Sequence, residues 1–250
     1  HLVGRRDLAL LERVKFAGII GMLHDEFFMK RISGLKREVA RGATKLSIDG
    51  RTPADELDAC REQLLRQAGD LNRLWSKELR PELARDGLPV LNHDELTGDA
   101  RETLRDYFTH KIQPILTPLA VDSEHPFPFI SNLGLNLAVT IGQGRDERFV
   151  SIKVPGNRTR WVPLGRRRAV VPIEQVIAAN LDLIYPGAAP GAVHLFRVTR
   201  GVEGEIDHSD DERENALMEP GSIVRQVSSE LKARRFAGVV RLQDDHQMPR

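Results

Sequence analysis

The sequence predicts a multidomain α+β protein in which an antiparallel helical bundle is followed by an α+β head domain. Apolar residues recur at helical spacing throughout residues 1–112, whereas short alternating patterns typical of strands prevail in residues 113–250. The change coincides with two proline-rich segments, 113–118 and 125–129, in which the chain must be extended and stiff. We therefore expect a helical amino-terminal domain (1–112) and a head domain (113–250).

The first predicted helix covers residues 8–41 and carries one apolar stripe. Gly42 lies where a helix C-terminal cap is expected, because glycine adopts a left-handed backbone without strain. The stripe consists of residues at three- to five-residue steps: Leu8, Leu11, Val14, Ile19, Met22, Phe27, Ile32, Leu35 and Val39. We expect this stripe to face the core of the bundle.

The second predicted helix begins at a strong start signal. Thr52 can cap the helix with its hydroxyl, and Pro53 suits the first helical position. The helix should run to about Asp86, where Gly87 ends it, and Pro81 predicts a kink or break close to that end. A third helix is expected over residues 99–112. Three helices with short connections favour an antiparallel bundle.

The head domain is predicted to mix short strands with helices. Residues 135–141 alternate between apolar and other side chains and should form a hairpin with 149–154 through a turn at 142–144. The remaining expected elements are strands at 161–163, 169–171, 194–200 and 236–242, and helices at 172–184 and 212–233. Pro220 and Gly221 should break the last of these helices.

The charge balance excludes several classes of function. Lys and Arg number 37 and Asp and Glu 36, which argues against a general nucleic-acid or membrane-binding surface. We expect no specific nucleic-acid partner, and any polyanion site must be a local basic patch. The single cysteine excludes an intrachain disulfide, and the apolar runs are too short for a transmembrane segment. The first residue is not Met and no signal peptide follows, so we expect an excerpt of a longer, cytoplasmic protein.

One basic cluster stands out against this balance. It comprises Lys153, Arg158, Arg160, Arg166, Arg167 and Arg168, with Trp161 among them. Arginine side chains match phosphate oxygens in geometry, so the cluster is a candidate site for a polyanion. The alternative is a solvated loop rim. The acidic run 203–212 leaves a similar choice between a partner-binding surface and a solvated one.

The sequence offers no catalytic or metal-ligating residue. No two histidines stand three or four residues apart, the chain has no cysteine pair, and no Walker A motif is present. Gly142 and Gly144 are interpreted as a hairpin turn rather than a nucleotide loop. Asp122 and Glu124 lie on an extended, proline-flanked segment, and we interpret them as linker residues rather than as an acid–base pair.

Several segments, in order along the chain, resemble the polyphosphate kinase family of the long, phosphohistidine type. The most specific block contains Thr-Pro-Leu-Ala-Val-Asp at 117–122, His-Pro-Phe-Pro-Phe-Ile-Ser-Asn-Leu at 125–133 and Leu-Asn-Leu-Ala-Val at 135–139. Earlier similarity lies in 10–16 and 25–29. Later similarity lies in 153–155, 160–162, 171–177, 196–200 and 234–242.

The resemblance implies a four-domain enzyme that reversibly transfers the terminal phosphate of ATP to polyphosphate, with Mg²⁺ and through a phosphorylated histidine. Its partners would be ATP or ADP, polyphosphate, and a second copy bound through the head domain. Such enzymes are cytoplasmic, in some cases with membrane association. The histidine and the metal ligands belong to domains that would follow Arg250, so this segment alone is expected to be inactive.

The resemblance also implies a nucleotide contact in the first helix. Family members carry an asparagine there that helps to hold the base. Aligned on residues 25–28, that position is Leu23 here, and the family's next residue, a leucine, is His24. Leucine has no hydrogen-bonding group, so the polar contact is lost and only van der Waals contact with adenine remains. His24 is either a helix-surface residue or a compensating base contact.

Two functions follow as hypotheses. The chain is either the front part of an active polyphosphate kinase or a degenerate, non-catalytic family member that dimerises or binds polyphosphate. Leu23 favours the second hypothesis, whereas the strength of the other similarities favours the first.

Overall fold

The architecture combines a helical amino-terminal part with an antiparallel sheet. A computed structural model describes residues 2–121, 129–142, 148–165, 168–187, 190–201 and 238–245. Its helices are α1 (Leu10–Phe27), α2 (Ser33–Ala40), α3 (Pro53–Leu74), α4 (Arg80–Arg85), α5 (Gly98–Tyr107), α6 (Ile173–Ala178) and α7 (Leu181–Ile184). Its strands are β1 (Pro118–Val121), β2 (Leu135–Ile141), β3 (Arg148–Lys153), β4 (Trp161–Pro163), β5 (Val170–Pro172), β6 (Pro190–Arg200) and β7 (Val239–Asp244). The predicted fold class is confirmed.

Each of the three long predicted helices is present and contains a π-helical turn. The turn Phe28–Ile32 joins α1 to α2, Trp75–Leu79 joins α3 to α4, and Phe108–Ile112 extends α5. Pro81 stands in the first turn of α4, directly after the second of these π turns. The predicted interruption near Pro81 is therefore a change of helix type, because proline cannot donate the backbone hydrogen bond that a continuous α-helix requires there.

The predicted helix ends are confirmed by local geometry. The Thr52 hydroxyl accepts a hydrogen bond from the Asp55 backbone N–H at 3.2 Å, and the Asp55 carboxylate accepts one from the Thr52 N–H, also at 3.2 Å. This reciprocal capping box satisfies donors that the first helical turn leaves without partners. Gly42 and Gly87 follow α2 and α4 with φ angles of 70° and 77°, which a residue with a side chain rarely adopts.

The predicted apolar stripe of the first helix is only partly correct. Ile32 and Leu35 are buried, but Leu11 and Met22 are exposed, Met22 to 72%. The buried residues of α1 itself are Arg13 and Asp25, two charged residues. Ion pairs and hydrogen bonds therefore hold α1 against its neighbours near both of its ends, and a hydrophobic period cannot indicate such contacts.

The third helix differs from its predicted place in the bundle. Leu104, Phe108 and Ile112 lie in one buried cluster with residues of the sheet and of α6. The side chains of β2 and β3 that complete this cluster are Leu137, Val139, Val150 and Ile152. These strand residues need an apolar cover on their face of the sheet, and α5 with its π turn provides it. The predicted domain boundary between 112 and 113 stays a prediction.

The sheet has five described strands in the order β1-β3-β2-β6-β7, all antiparallel. The predicted pairing of β2 with β3 is confirmed, with Val139 opposite Val150. Strands β4 and β5 form a separate two-stranded sheet. The helix predicted over 172–184 is instead two short helices, because Asn180 interrupts it and its side-chain amide donates to the Val176 carbonyl at 2.8 Å.

Several predictions fall outside the described residues. They are the proline-rich residues 125–128, the linker acids Asp122 and Glu124, the turn residues 143–144, Arg166 and Arg167, the acidic run 203–212, and the helix 212–233 with its break at 220–221.

Candidate functional site

The candidate nucleotide face lies near the carboxyl end of α1. Leu23 is 57% exposed, as the contact surface of a bound base would have to be. The imidazole Nε2 of His24 lies 2.8 Å from the side-chain oxygen Oε1 of Gln67 on α3. This hydrogen bond ties His24 to the neighbouring helix and leaves Leu23 beside it as an apolar surface.

Asp25, the next residue, is buried and joins α1 to the sheet. Its carboxylate accepts two hydrogen bonds from the Arg197 guanidinium on β6, one of them from Nη1 at 3.0 Å. Arg241 Nη1 on β7 lies 3.6 Å from the same carboxylate. The Gln243 side-chain oxygen accepts from Arg197 Nε and Nη2 at 3.0 and 2.7 Å. We call Asp25, Arg197, Arg241 and Gln243 the Asp25 junction.

The Asp25 junction carries more positive than negative charge. One carboxylate faces two guanidinium groups, and Arg241 also stacks on the Phe28 ring with 4.5 Å between the guanidinium carbon and the ring centre. Burial lowers the pKa of Arg241, the charge of Arg197 lowers it further, and Asp25 opposes both effects. Asp25 therefore keeps two like charges together in a site with little water.

Further contacts fix the following turns of helix on the same part of the sheet. The Lys36 ammonium donates to the Val240 carbonyl at 3.1 Å. A Cβ atom added at Gly201 would lie 2.2 Å from the Ser33 hydroxyl oxygen, so the Gly201 backbone packs directly against the Ser33 side chain. Because these contacts flank Asp25, the face that carries Leu23 and His24 has a defined orientation relative to the head domain.

The basic cluster predicted from the sequence is divided in the structure. Arg160 forms a forked ion pair with the buried carboxylate of Glu174, with Nη2 to Oε1 at 2.6 Å and Nε to Oε1 at 3.1 Å. It also lies 5.5 Å from the centre of the Trp161 ring. Arg160 is thus occupied by structural contacts, because a guanidinium paired in this way has little capacity left for a polyanion.

The other described members of the cluster remain accessible. Arg158 and Arg168 are exposed, and neither has an ion-pair partner among the described residues. Lys153 stands at the end of β3 and faces a cavity on the opposite side of the sheet from α5. Arg166 and Arg167 cannot be placed relative to them, because both lie outside the described residues. Lys153 thus faces a cavity, whereas Arg158 and Arg168 are exposed in the segments that precede β4 and β5.

Sequence reasoning missed the Asp25 junction. Asp25, Arg197 and Arg241 each fall in a segment of family resemblance, but no local pattern indicates that these segments meet. Among the described residues, no group of three or more His, Cys, Asp or Glu side chains is arranged to hold a metal ion. No helix in the described part of the chain is both long and apolar enough to cross a membrane.

The fold and the site define an α+β protein in which a helical part is fixed to an antiparallel sheet through a buried charged junction. Comparison with known families identifies it further. The polyphosphate kinase N-terminal domain matches residues 2–91, and the polyphosphate kinase middle domain matches residues 99–250. The chain therefore belongs to the polyphosphate kinase family.

Individual relatives agree with this assignment. A polyphosphate kinase of Thermosynechococcus vestitus is 39% identical over 252 residues, which cover 96% of this chain and 33% of the relative. One from Mycobacterium marinum is 38% identical and covers 95% of this chain and 32% of its own length. The crystal structure of polyphosphate kinase from Porphyromonas gingivalis matches with a TM-score of 0.70 at 22% identity, over 92% of this chain and 35% of that one. The chain thus spans about a third of the length of these relatives.

Proposed function

We propose that this chain is the amino-terminal and middle part of an enzyme that reversibly transfers the terminal phosphate of ATP to polyphosphate. The observation that carries the proposal is the match to both family domains, in order and over nearly the whole chain. On this proposal the complete enzyme uses ATP with Mg²⁺ in the cytoplasm. The phosphorylated histidine and the metal ligands belong to domains beyond Arg250.

Within that enzyme, Leu23 and His24 contribute to nucleotide positioning. Leu23 offers an exposed apolar surface to the base, and His24 brings a ring that can hydrogen-bond but is engaged by Gln67. The Asp25 junction supports this role, because it fixes the helix that carries both residues against the sheet. Base recognition here depends on shape more than on hydrogen bonds.

The head domain contributes polyphosphate guidance and dimerisation. Arg158 and Arg168 are exposed cations without described partners, which suits transient contact with a flexible polyanion. Val239 and Leu242 are exposed apolar side chains on β7, the last strand of the described sheet, and they support a contact with a second copy. The boundary of this domain at 113 belongs to the proposal.

The nucleotide role predicts a gain of ATP affinity in the Leu23→Asn variant. An added hydrogen bond to the base should lower the KM for ATP by about two- to tenfold, the equivalent of one net hydrogen bond. The measurement is ATP-dependent polyphosphate synthesis by the complete gene product that contains this segment. Met22→Asn is the matched control, since it places the same amide on the more exposed neighbouring residue, and it should leave the KM unchanged.

The same assay tests the proposed activity itself. The complete gene product should form polyphosphate from ATP and the 250-residue chain alone should not. Absence of synthesis by the complete product would contradict the enzymatic function. An unchanged KM in Leu23→Asn, with synthesis intact, would contradict only the nucleotide role.

A second candidate function is a non-catalytic family member that dimerises or binds polyphosphate. Leu23 favours it, because the hydrogen-bonding side chain of the family is absent at this position. This candidate predicts that the complete gene product binds polyphosphate but transfers no phosphate from ATP.

A further inference from the structure

A cavity of about 410 Å³ lies on the face of the sheet opposite α5 and α6. Neighbouring strands bring its polar residues together: Asn136 on β2 is directly opposite Lys153 on β3, and Ser151 is opposite Leu119 on β1. Residues two apart on a strand share one face of the sheet, so Ser151 and Lys153 point to the same side. Phe129 and Leu119 form an apolar wall.

Among the residues that the structure describes, the cavity is lined by one charged side chain, that of Lys153. Its ammonium group has no ion-pair partner among the described residues, and none of the described lining residues carries a carboxylate. The Arg200 guanidinium lies at the same wall, with its carbon 4.4 Å from the centre of the Phe129 ring, and its Nε donates to the Ile130 carbonyl at 3.0 Å. An ammonium group at the mouth of a cavity whose described lining holds no carboxylate attracts an anion.

Neutral hydrogen-bonding groups stand next to this ammonium. Asn136 and Ser151 are only 2% and 3% exposed, although polar side chains are costly to bury without partners. One amide hydrogen of Asn136 is donated to the Gly134 carbonyl at 2.9 Å, and its second amide hydrogen is free to donate again. The Ser151 hydroxyl has no hydrogen-bond partner in the described part of the chain.

The turn that closes the cavity is held rigidly. Leu133 has a φ of 60°, which is unusual for a residue with a side chain. Its backbone N–H donates to the Val198 carbonyl at 2.9 Å, and the Asn132 side-chain oxygen accepts from the Arg200 N–H at 2.8 Å. A Cβ at Gly134 would lie 2.7 Å from the Ser131 hydroxyl oxygen. This part of the cavity is therefore formed before any ligand binds.

We propose that this cavity is a binding site for a small oxyanion of the phosphate class. The Lys153 ammonium makes the charged contact, the Ser151 hydroxyl and the Asn136 amide donate hydrogen bonds, and Phe129 with Leu119 forms the apolar side of the site. The end of a polyphosphate chain and the phosphates of a nucleotide share this chemistry. The site deepens the proposed function and rests on it for the choice of ligand, but it is separate from Leu23 and from Arg158 and Arg168.

The test is calorimetric titration of the chain with tripolyphosphate at constant ionic strength. Lys153→Gln should weaken binding about tenfold or more, because a hydrogen bond to a charged group is lost, and Ser151→Ala by about two- to tenfold. Lys111→Gln is the matched control, since Lys111 is also an exposed lysine without a described partner, and it should change nothing. Circular dichroism of each variant checks that the fold is kept.

Separate titrations with orthophosphate, ADP and citrate identify the ligand. Binding of ADP that depends on Lys153 points to a nucleotide, and binding of tripolyphosphate alone points to polyphosphate; either result supports the site. If Lys111→Gln weakened tripolyphosphate binding as much as Lys153→Gln does, the proposed site would be overturned, because the binding would then reflect general charge attraction. Citrate binding as tight as tripolyphosphate at matched charge, with the same dependence on Lys153, would overturn the phosphate class.

Failure of this site can be distinguished from failure of the proposed function. Suppose that the chain loses its binding of long-chain polyphosphate in the Arg158→Gln, Arg168→Gln double variant but keeps it in Lys153→Gln. That result would contradict the binding site in the cavity and leave the proposed function intact. Conversely, consider a complete gene product that binds tripolyphosphate in a way that requires Lys153 and yet synthesises no polyphosphate. That result would contradict the enzymatic function and leave the binding site intact.

Discussion

Replacing Asp25 by alanine is expected to lower the free energy of unfolding by about 3–5 kcal/mol, the usual cost of removing one partner from a buried ion pair. The variant leaves Arg197 and Arg241 facing each other in a site where their side chains are 23% and 17% exposed. Among the described residues, the neutral Gln243 oxygen would be the remaining acceptor for Arg197. Urea unfolding, monitored by circular dichroism, measures the change.

The matched control for Asp25 is Asp182. Asp182 also accepts a forked pair of hydrogen bonds from an arginine, Arg105, but the two side chains are 54% and 43% exposed. Its replacement by alanine should cost no more than about 1 kcal/mol, because water screens the pair and replaces the lost contacts. Equal losses in the two variants would show that burial does not determine the strength of the Asp25 junction.

Replacing Arg13 by alanine should have the second-largest effect, a loss of about 3 kcal/mol or more. The Arg13 side chain is only 3% exposed, and it donates to the Glu82 carboxylate at 2.7 Å, to Glu78 at 3.2 Å and to the Val3 carbonyl at 2.8 Å. One guanidinium thus holds three separate segments together. Arg13→Ala removes all three contacts and leaves the Glu78 and Glu82 carboxylates without the buried cation that they share.

Two further variants separate charge from geometry at this position. Arg13→Lys keeps the positive charge but loses the planar guanidinium that donates to several acceptors at once. It should therefore recover less than half of the stability lost in Arg13→Ala. Arg73→Ala removes an exposed arginine that pairs with Asp70 across one helical turn, and it should cost less than about 1 kcal/mol. Full recovery by lysine, measured by the same urea titration, would contradict the role given to the guanidinium geometry.

Local signals in the sequence predicted most helix and strand positions. The helix cap at Thr52, the glycines after α2 and α4, and the alternation in β2 are properties of short segments, and each is present in the structure. The placement of whole elements was harder to predict. The helix α5 needs an apolar face whether it packs against other helices or against a sheet. The period of its apolar residues therefore does not show which of the two surfaces it covers.

The site was predictable only in part, for a related reason. Resemblance indicated Leu23 and His24, and composition indicated the basic cluster. Neither could show that Arg160 is paired with Glu174 or that Lys153 faces a cavity, because these facts depend on which strands are neighbours. Asp25 illustrates the limit most clearly, since a charged residue on a helix is ordinarily interpreted as a surface residue.

The contact between Ser33 and Gly201 couples the residues that these two positions can hold. The φ of Gly201 lies outside the left-handed range, so the backbone would tolerate alanine there, and only the Ser33 side chain stands in the way. Alanine at position 201 therefore requires the Ser33 hydroxyl to turn away or to be removed, together with a small shift of the Ser33 Cβ. A chimera that joins residues 2–91 of this chain to the middle domain of a relative should therefore fold best when the residues at positions 33 and 201 fit each other.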